Sequence, residues 1–251
     1  MKTRISQVLV AASMGLAAPA ARGDQVSSVE VAAPAPVATR ELSVPAAGAT
    51  GLRMWRFELG DRSNFVTDAG LNPFSAHDYL GQVSLAASRT LWTHGRFAFA
   101  PGVAWDYGRH DSNARGDATS LSVHRLEVLL EGRVHLGPWG YAFLRAAPGF
   151  ALERAEVDDP TAPAALQKTR WLFATDVSAG YAYPVWARDE PGKLPVSVWL
   201  QADGGFGWVV AQRLNLTPDL GSGDARPASG VDLGSLALNG AFFRAAAAIG
   251  F

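Results

Sequence analysis

From Gly51 to Phe251 the chain alternates with a period of two, and no long segment carries the i, i+3, i+4, i+7 stripe of an amphipathic helix. Such a pattern confines the chain to strands whose two faces meet different surroundings. In Phe97–Tyr107 the odd positions are Phe97, Phe99, Pro101, Val103, Trp105 and Tyr107, while the even ones are Ala98, Ala100, Gly102, Ala104 and Asp106. Ser122–Leu136 repeats the alternation with opposite parity. Leu126, Val128, Leu130, Val134 and Leu136 share one face, and Arg125, Glu127, Glu131, Arg133 and His135 the other.

Read throughout, the alternation predicts eight strands, at about 51–60, 79–91, 96–108, 120–136, 140–154, 169–184, 195–210 and 234–251. Their connections alternate too. Trp92–Gly95, Gly137–Trp139 and Ala187–Leu194 are short, whereas Asp61–Asp78, Arg109–Thr119, Ala155–Lys168 and Ala211–Leu233 are longer and polar. Short turns at one end and long loops at the other describe an antiparallel meander across an outer membrane, with turns periplasmic, loops extracellular and both termini on the periplasmic side. A weak internal repeat agrees: Ala100–Asp106 matches Ala147–Glu153, and Ala202–Trp208 is a looser third copy.

Alternation alone does not say which face meets the solvent. The polar face holds Arg56, Glu58, Asp106, Arg125, Glu127, Glu131, Arg133, Arg145, Glu153, Asp176, Asp203 and Arg244, together with Gln82, Ser84 and Gln201, among many Gly, Ala and Ser residues. Small residues with charges of both signs suit the crowded lumen of a narrow barrel, where ions must be paired to offset desolvation. A water-facing surface would be rich in lysine, yet beyond residue 23 the lysines are Lys168 and Lys193. Arginine, with its planar fork, is the better pairing group in a lumen.

Aromatic residues gather at the predicted strand ends. Trp92, Trp139, Tyr141, Tyr181, Tyr183, Trp186 and Trp199 fall by the turns, and Trp105, Tyr107, Trp171 and Trp208 toward the loops. These are the expected membrane-interface belts. Ile249 and Phe251 close the last strand on its apolar face. That ending resembles the C-terminal signal by which outer-membrane barrels are recognised by the barrel-assembly machinery. Over Gly51–Phe251 the whole pattern resembles the small eight-stranded outer-membrane β-barrel proteins, the OmpA membrane domain and the OmpX-like proteins. The likeness is one of architecture and implies location and fold. The expected class is therefore all-β: an antiparallel up-and-down transmembrane β-barrel of about eight strands, preceded by a disordered tether.

The N-terminus fits export. Lys2 and Arg4 precede an apolar run from Ile5 to Ala20, and small residues offer cleavage at Ala18-Pro19-Ala20 or Ala21-Arg22-Gly23. Residues 1–23 are thus an expected signal peptide of a Gram-negative envelope protein. Residues 24–50, dominated by Ala, Pro, Val and Ser with no aromatic residue, are an expected periplasmic tether, and 51–251 the barrel. The mean hydropathy of +0.05 fits two unlike faces that cancel. A net charge of −1 argues against nucleic acid as a partner, and the absence of Cys removes disulfides, thiolate nucleophiles and Cys-built zinc sites.

Sites of chemistry are sparse. His77, His94, His110, His124 and His135 form no i, i+4 pair and sit at no metal spacing, and no phosphate-binding or dinucleotide fingerprint is present. No metal or cofactor is expected. Arg115-Gly116-Asp117 spells an integrin-type tripeptide, but so does Arg22-Gly23-Asp24 in the signal region, so chance explains both. His110-Asp111-Ser112-Asn113-Ala114 resembles the His-x-Ser-Asn-Ala string of the outer-membrane lipid A deacylases. That resemblance implies His110 as general base, Ser112 as nucleophile and Glu127 as the nearest downstream acid. The main expectation is a non-enzymatic barrel acting in envelope integrity, surface interaction or adhesion through its loops. Its expected surroundings are outer-membrane lipid and lipopolysaccharide, and its loop partners are not readable from the sequence. A small porin-like channel or transporter and the deacylase-like hydrolase are the alternatives.

Overall fold

The computed structural model describes residues 55–75, 77–114, 116–158, 165–188, 194–218 and 230–251. The expected signal peptide and tether, both Arg-Gly-Asp arginines and Lys193 lie outside the described residues. Among the described residues eleven strands run in chain order: β1 (Trp55–Val66), β2 (Tyr79–Arg89), β3 (Trp92–His94), β4 (Phe97–Ala114), β5 (Asp117–His135), β6 (Tyr141–Asp158), β7 (Leu166–Arg188), β8 (Val196–Val209), β9 (Gln212–Pro218), β10 (Val231–Leu236) and β11 (Gly240–Gly250). Eight of them close a ring of antiparallel pairs, β1–β2–β4–β5–β6–β7–β8–β11 and back to β1. The fold is an up-and-down β-barrel.

Strand pairing fixes the barrel's geometry. Starting at Trp171 on β7, the paired residues run through Leu152, His124, Tyr107, Val83, Asp61, Ala245 and Ala202 and return to β7 at Tyr181. One circuit therefore shifts the register by about ten residues, which for eight strands corresponds to a tilt of about 40°. The ring closes where β1 meets β11. There Gly240 lies so close to the Phe65 carbonyl oxygen that any Cβ would strike it, and Trp55 and Phe251 exchange two main-chain hydrogen bonds of 2.8 and 3.0 Å.

The two faces divide as the alternation predicts. Outward positions such as Phe57, Leu59, Val103, Leu126, Val128, Leu144, Phe150, Phe173, Leu200, Phe243 and Ile249 are exposed. So large an uncovered apolar surface belongs against lipid. Asp61, between Ala245 and Val83, is the outward exception and is exposed. Inward positions are mostly small or polar, with a few large side chains such as Leu129, Tyr141, Phe143 and Phe242, and Ala86, Ala104, Leu129 and Ala147 pack together within.

Strand ends differ from the sequence reading in several places, and β3 and β9 lie where a turn and a loop were expected. β4 to β7 continue into predicted loops, because Arg109–Ala114 pairs with Asp117–Ser122, and Ala118–Leu121 pairs with Ala155–Asp158. Past the belt the outer face turns polar, so the contrast between the faces weakens while main-chain pairing goes on. Gly116, with φ +100°, makes the tight turn at the tip. β1 likewise continues to Val66. Finally, the predicted segment 234–251 divides. Its start belongs to β10, which pairs with β9 in a hairpin, while β11 closes the barrel.

Candidate functional site

The interior is the densest concentration of chemistry in the molecule. Seven arginines (Arg56, Arg62, Arg125, Arg133, Arg145, Arg170, Arg244) and seven carboxylates (Glu58, Asp106, Glu127, Glu131, Glu153, Asp176, Asp203) are buried among the described residues. Their formal charges cancel. All twelve charges read from the sequence as lumenal are there, and Arg62 and Arg170 join them. The twelve alone comprise five guanidiniums against seven carboxylates, so the two missing groups are the cations that neutralise the set. Arg62 lies just beyond the end of the first predicted strand, in the predicted loop Asp61–Asp78. It continues the i, i+2 parity of Arg56 and Glu58, and the charge deficit was the signal that could have found it. Arg170 shares its face with Leu172 and Asp176 in the same way.

The pairs stack along the barrel. Nearest the short turns, Arg56 lies 3.2 Å from Glu58 and donates to Gln201 at 2.5 Å. Arg133 donates to Glu131 at 2.5 Å and to Ser88 at 3.1 Å, and Arg145 spans Glu131 and Glu58. Arg244 grips Asp203 with two hydrogen bonds of 3.0 and 2.8 Å. Beyond them Arg62 pairs with Asp106 at 3.0 Å and also with Asp176, while Arg125 donates to Asp176 at 2.6 Å and sits 2.8 Å from Glu127. Oxygens of Asp106, Glu127 and Asp176 lie within 4.8 Å of one another, the spacing a metal would need. Arg62 and Arg125 already supply positive charge at that point.

Both ends are covered. At the turn end the buried Tyr141 ring lies under Arg56 and Arg133, at 5.2 and 5.0 Å, and Trp199 packs 5.4 Å from Tyr141. Tyr141 and Trp199 were expected in the membrane-interface belt, and the structure corrects this. Tyr141 has the inward parity of Phe143 and Arg145, and Trp199 that of Gln201 and Asp203. The other belt residues, Trp92, Trp105, Trp139, Trp171, Tyr181, Tyr183, Trp186 and Trp208, are exposed on the outer surface, as are Ile249 and Phe251. Phe251 stacks on Phe57 at 5.7 Å.

At the loop end an apolar cap closes the mouth. Leu71, Phe74, Leu80, Leu121, Val123, Leu172, Leu214, Leu216, Leu236 and Leu238 form one buried cluster. Polar ties hold it in place. Arg170 pairs with Glu153 at 2.7 Å and donates to the carbonyls of Gln212 at 2.6 Å and Leu236 at 3.2 Å, clamping the β9–β10 hairpin. Asp68 accepts from the main-chain N–H of Ala237 at 2.9 Å, joining the first long connection to the last.

The hydrolase site implied by the deacylase-like string is not assembled. His110 and Ser112 lie on the extension of β4, opposite Leu121 and Thr119, whereas Glu127 pairs with Ala104. Six residues of strand, about 20 Å, separate Glu127 from the level of His110. Glu127 lies beside Arg125 in the lumen, and His110 makes an edge contact with Tyr79.

No protein-family model matches the chain, and no curated protein matches it. Solved structures give distant likenesses. Ail, the attachment invasion locus protein of Yersinia pestis, crystallised with the heparin analogue sucrose octasulfate, is 8% identical with a TM-score of 0.46, over 80% of this chain and 99% of that one. The β domain of the Bordetella autotransporter BrkA is 8% identical with a TM-score of 0.37, over 79% and 98%. The transport unit of the autotransporter AIDA-I from Escherichia coli is 13% identical with a TM-score of 0.35, over 83% and 93%. Likenesses this remote bear on neither activity nor partner, and the barrel rests on its own strand pairing.

Proposed function

We propose that the chain is an integral protein of the bacterial outer membrane, with a structural, envelope-integrity or surface-interaction role carried by its loop end. The closed lumen is the observation that carries this reading. Fourteen paired charges fill the interior, an aromatic pair covers one end and an apolar cluster the other. Eight strands leave an interior that side chains can fill, so free passage of solutes is not expected. The belt of exposed apolar side chains supports membrane insertion, and the even number of strands in the ring returns both barrel ends to one side.

In this reading residues 1–23 are removed on export, residues 24–50 tether the barrel in the periplasm, and Ile249 and Phe251 present the assembly signal. Purified protein run on a detergent gel with and without boiling, followed by planar-bilayer recording, tests it. A heat-dependent mobility shift from the outer-membrane fraction without steady conductance is the expected result. Recovery as a soluble periplasmic protein without a shift defeats the membrane reading, and steady conductance would favour the channel alternative. N-terminal sequencing of the mature protein, expected to start at Asp24 or Ala21, tests the export signal.

A further inference from the structure

The outer surface of the barrel is unevenly charged at its loop end. Following each strand outward from the belt, the last apolar outward residue and the first polar one are Tyr107 and Arg109 on β4, Leu126 and His124 on β5, Leu152 and Arg154 on β6, and Trp171 and Thr169 on β7. On the other four strands of the ring the last apolar outward residues are Trp208, Ala241, Phe65 and Tyr79, and no arginine or lysine follows them within these strands. Among the described ring strands, two guanidiniums therefore stand just past the belt, both on the β4 to β7 half; a third exposed one, Arg213, lies off the ring on β9.

They share a cleft. Tyr107, Arg109, Ser120, Ser122, His124, Leu152, Arg154, Glu156 and Thr169 line a depression of about 470 Å³ on the outer face of β4 to β7. Arg109 pairs with Ser122 across β4 and β5, and Ser122 with Arg154 across β5 and β6. The two arginines thus flank one serine, about 10 Å apart along the sheet. A phosphate above Ser122 is within reach of both forks. The cleft floor carries the hydroxyls of Ser120 and Ser122, and the rings of Tyr107 and His124 pack at 4.6 Å on its membrane side.

We propose that this cleft binds the phosphate of a membrane lipid head group, with Arg109 and Arg154 as its anion-binding pair. The proposal rests on the reading of the chain as a membrane-embedded barrel. A lipid is favoured over a soluble anion because the cleft opens directly onto the apolar belt, where acyl chains would lie along Leu126, Phe150 and Phe173. Guanidinium forks match phosphate oxygens in a two-pronged geometry. Both arginines now hold neighbouring acids on the side away from the belt. Arg109 bonds Asp111 at 3.0 Å, which raises its pKa, and Arg154 reaches Glu156 at 3.4 Å and Gln167 at 3.1 Å. The side chains of Arg109 and Arg154 are 57% and 55% exposed. Exposed ion pairs of this kind contribute little to stability, so exchange of one oxygen partner for another costs little.

The test compares the purified barrel with its Arg109→Gln/Arg154→Gln variant by lipid retention in native mass spectrometry. Probes are phosphorylated lipid A, the same lipid stripped of phosphate, and inorganic phosphate alone. The expected result is retention of the phosphorylated lipid only, reduced at least tenfold in the variant. Equal retention by variant and parent, equal retention of the stripped lipid, or binding of inorganic phosphate as tight as that of the lipid would each overturn the proposal. The heat-dependent gel shift is recorded on both proteins. Its absence from the parent defeats the barrel reading itself, while its presence together with any overturning result defeats only the lipid site. Both positions lie outside the lumen, and a retained shift in the variant establishes that it still folds.

Discussion

Arg145 on β6 donates to both carboxylate oxygens of Glu58 on β1, at 3.2 and 3.1 Å, although the two strands stand four places apart in either direction round the ring. The bond crosses the barrel at its widest. It ties together strands that share no main-chain hydrogen bond, and both partners are almost fully buried. Removing one partner leaves an uncompensated buried charge. Arg145→Met is expected to destabilise the barrel by about 3 to 5 kcal/mol, read as a lower urea midpoint in detergent. A midpoint equal to the parent's would show that the pair contributes nothing.

The plug assignment makes a second prediction. Glu127 faces Arg125, and Glu131 holds both Arg133 and Arg145. Glu127→Gln combined with Glu131→Gln leaves three guanidiniums under-compensated. The double variant is expected to unfold at lower urea concentration and to show current fluctuations in planar bilayers. Unchanged stability with an electrically silent bilayer would remove the ionic plug from the account.

Closure of the ring depends on a close approach at Gly240. A Cβ there meets the carbonyl oxygen of Phe65 on the partner strand, whereas one on Gly132 meets nothing within 4 Å. Gly240→Ala is expected to cost about 1 to 3 kcal/mol, with Gly132→Ala close to neutral. Equal effects in unfolding experiments would show that the seam relaxes freely.

Two tryptophans separate the faces. Trp171 is 65% exposed on the outer surface, while Trp199 packs inward against Tyr141 and Arg56. In variants that keep only one tryptophan, brominated lipid is expected to quench Trp171 strongly and Trp199 weakly. The reverse order would place β8 with the wrong face toward lipid.

Asp61 tests the nature of the surrounding medium. It points outward between Ala245 and Val83, where a carboxylate loses hydration if lipid covers it. Asp61→Leu is expected to stabilise the barrel in lipid vesicles by about 1 to 2 kcal/mol, in line with the smaller penalties that acids carry on lipid-facing surfaces. A loss of stability would assign Asp61 a structural partner.

What could be read ahead of the structure depended on where the alternation was strong. Phe97–Tyr107 and Leu126–Leu136 lie within the membrane belt, so each residue type there reports its face and these stretches are legible as strands. Arg109–Ala114 leaves the belt, meets water on its outer side and loses the contrast, so a strand was read as a loop. Tyr141 and Trp199 were misplaced for a related reason. An aromatic residue near a strand end suits both a lipid interface and a lumen lid, and only its parity relative to Arg145 or Asp203 decides between them.

The sequence by itself determined the class of the fold and the sign of its two faces, because period-two patterning is local and each strand carries it independently. It also determined twelve of the fourteen lumenal charges. Only the tertiary structure decided which charge meets which. Pairing across the lumen joins residues as far apart as Arg56 and Gln201, and it follows from ring closure and the roughly ten-residue register shift, neither of which any single strand encodes. The apolar cap is tertiary in the same sense. Leu71, Leu121, Leu216 and Leu238 come from four separate stretches of chain and become one cluster only when the barrel closes and brings its loops over a common mouth.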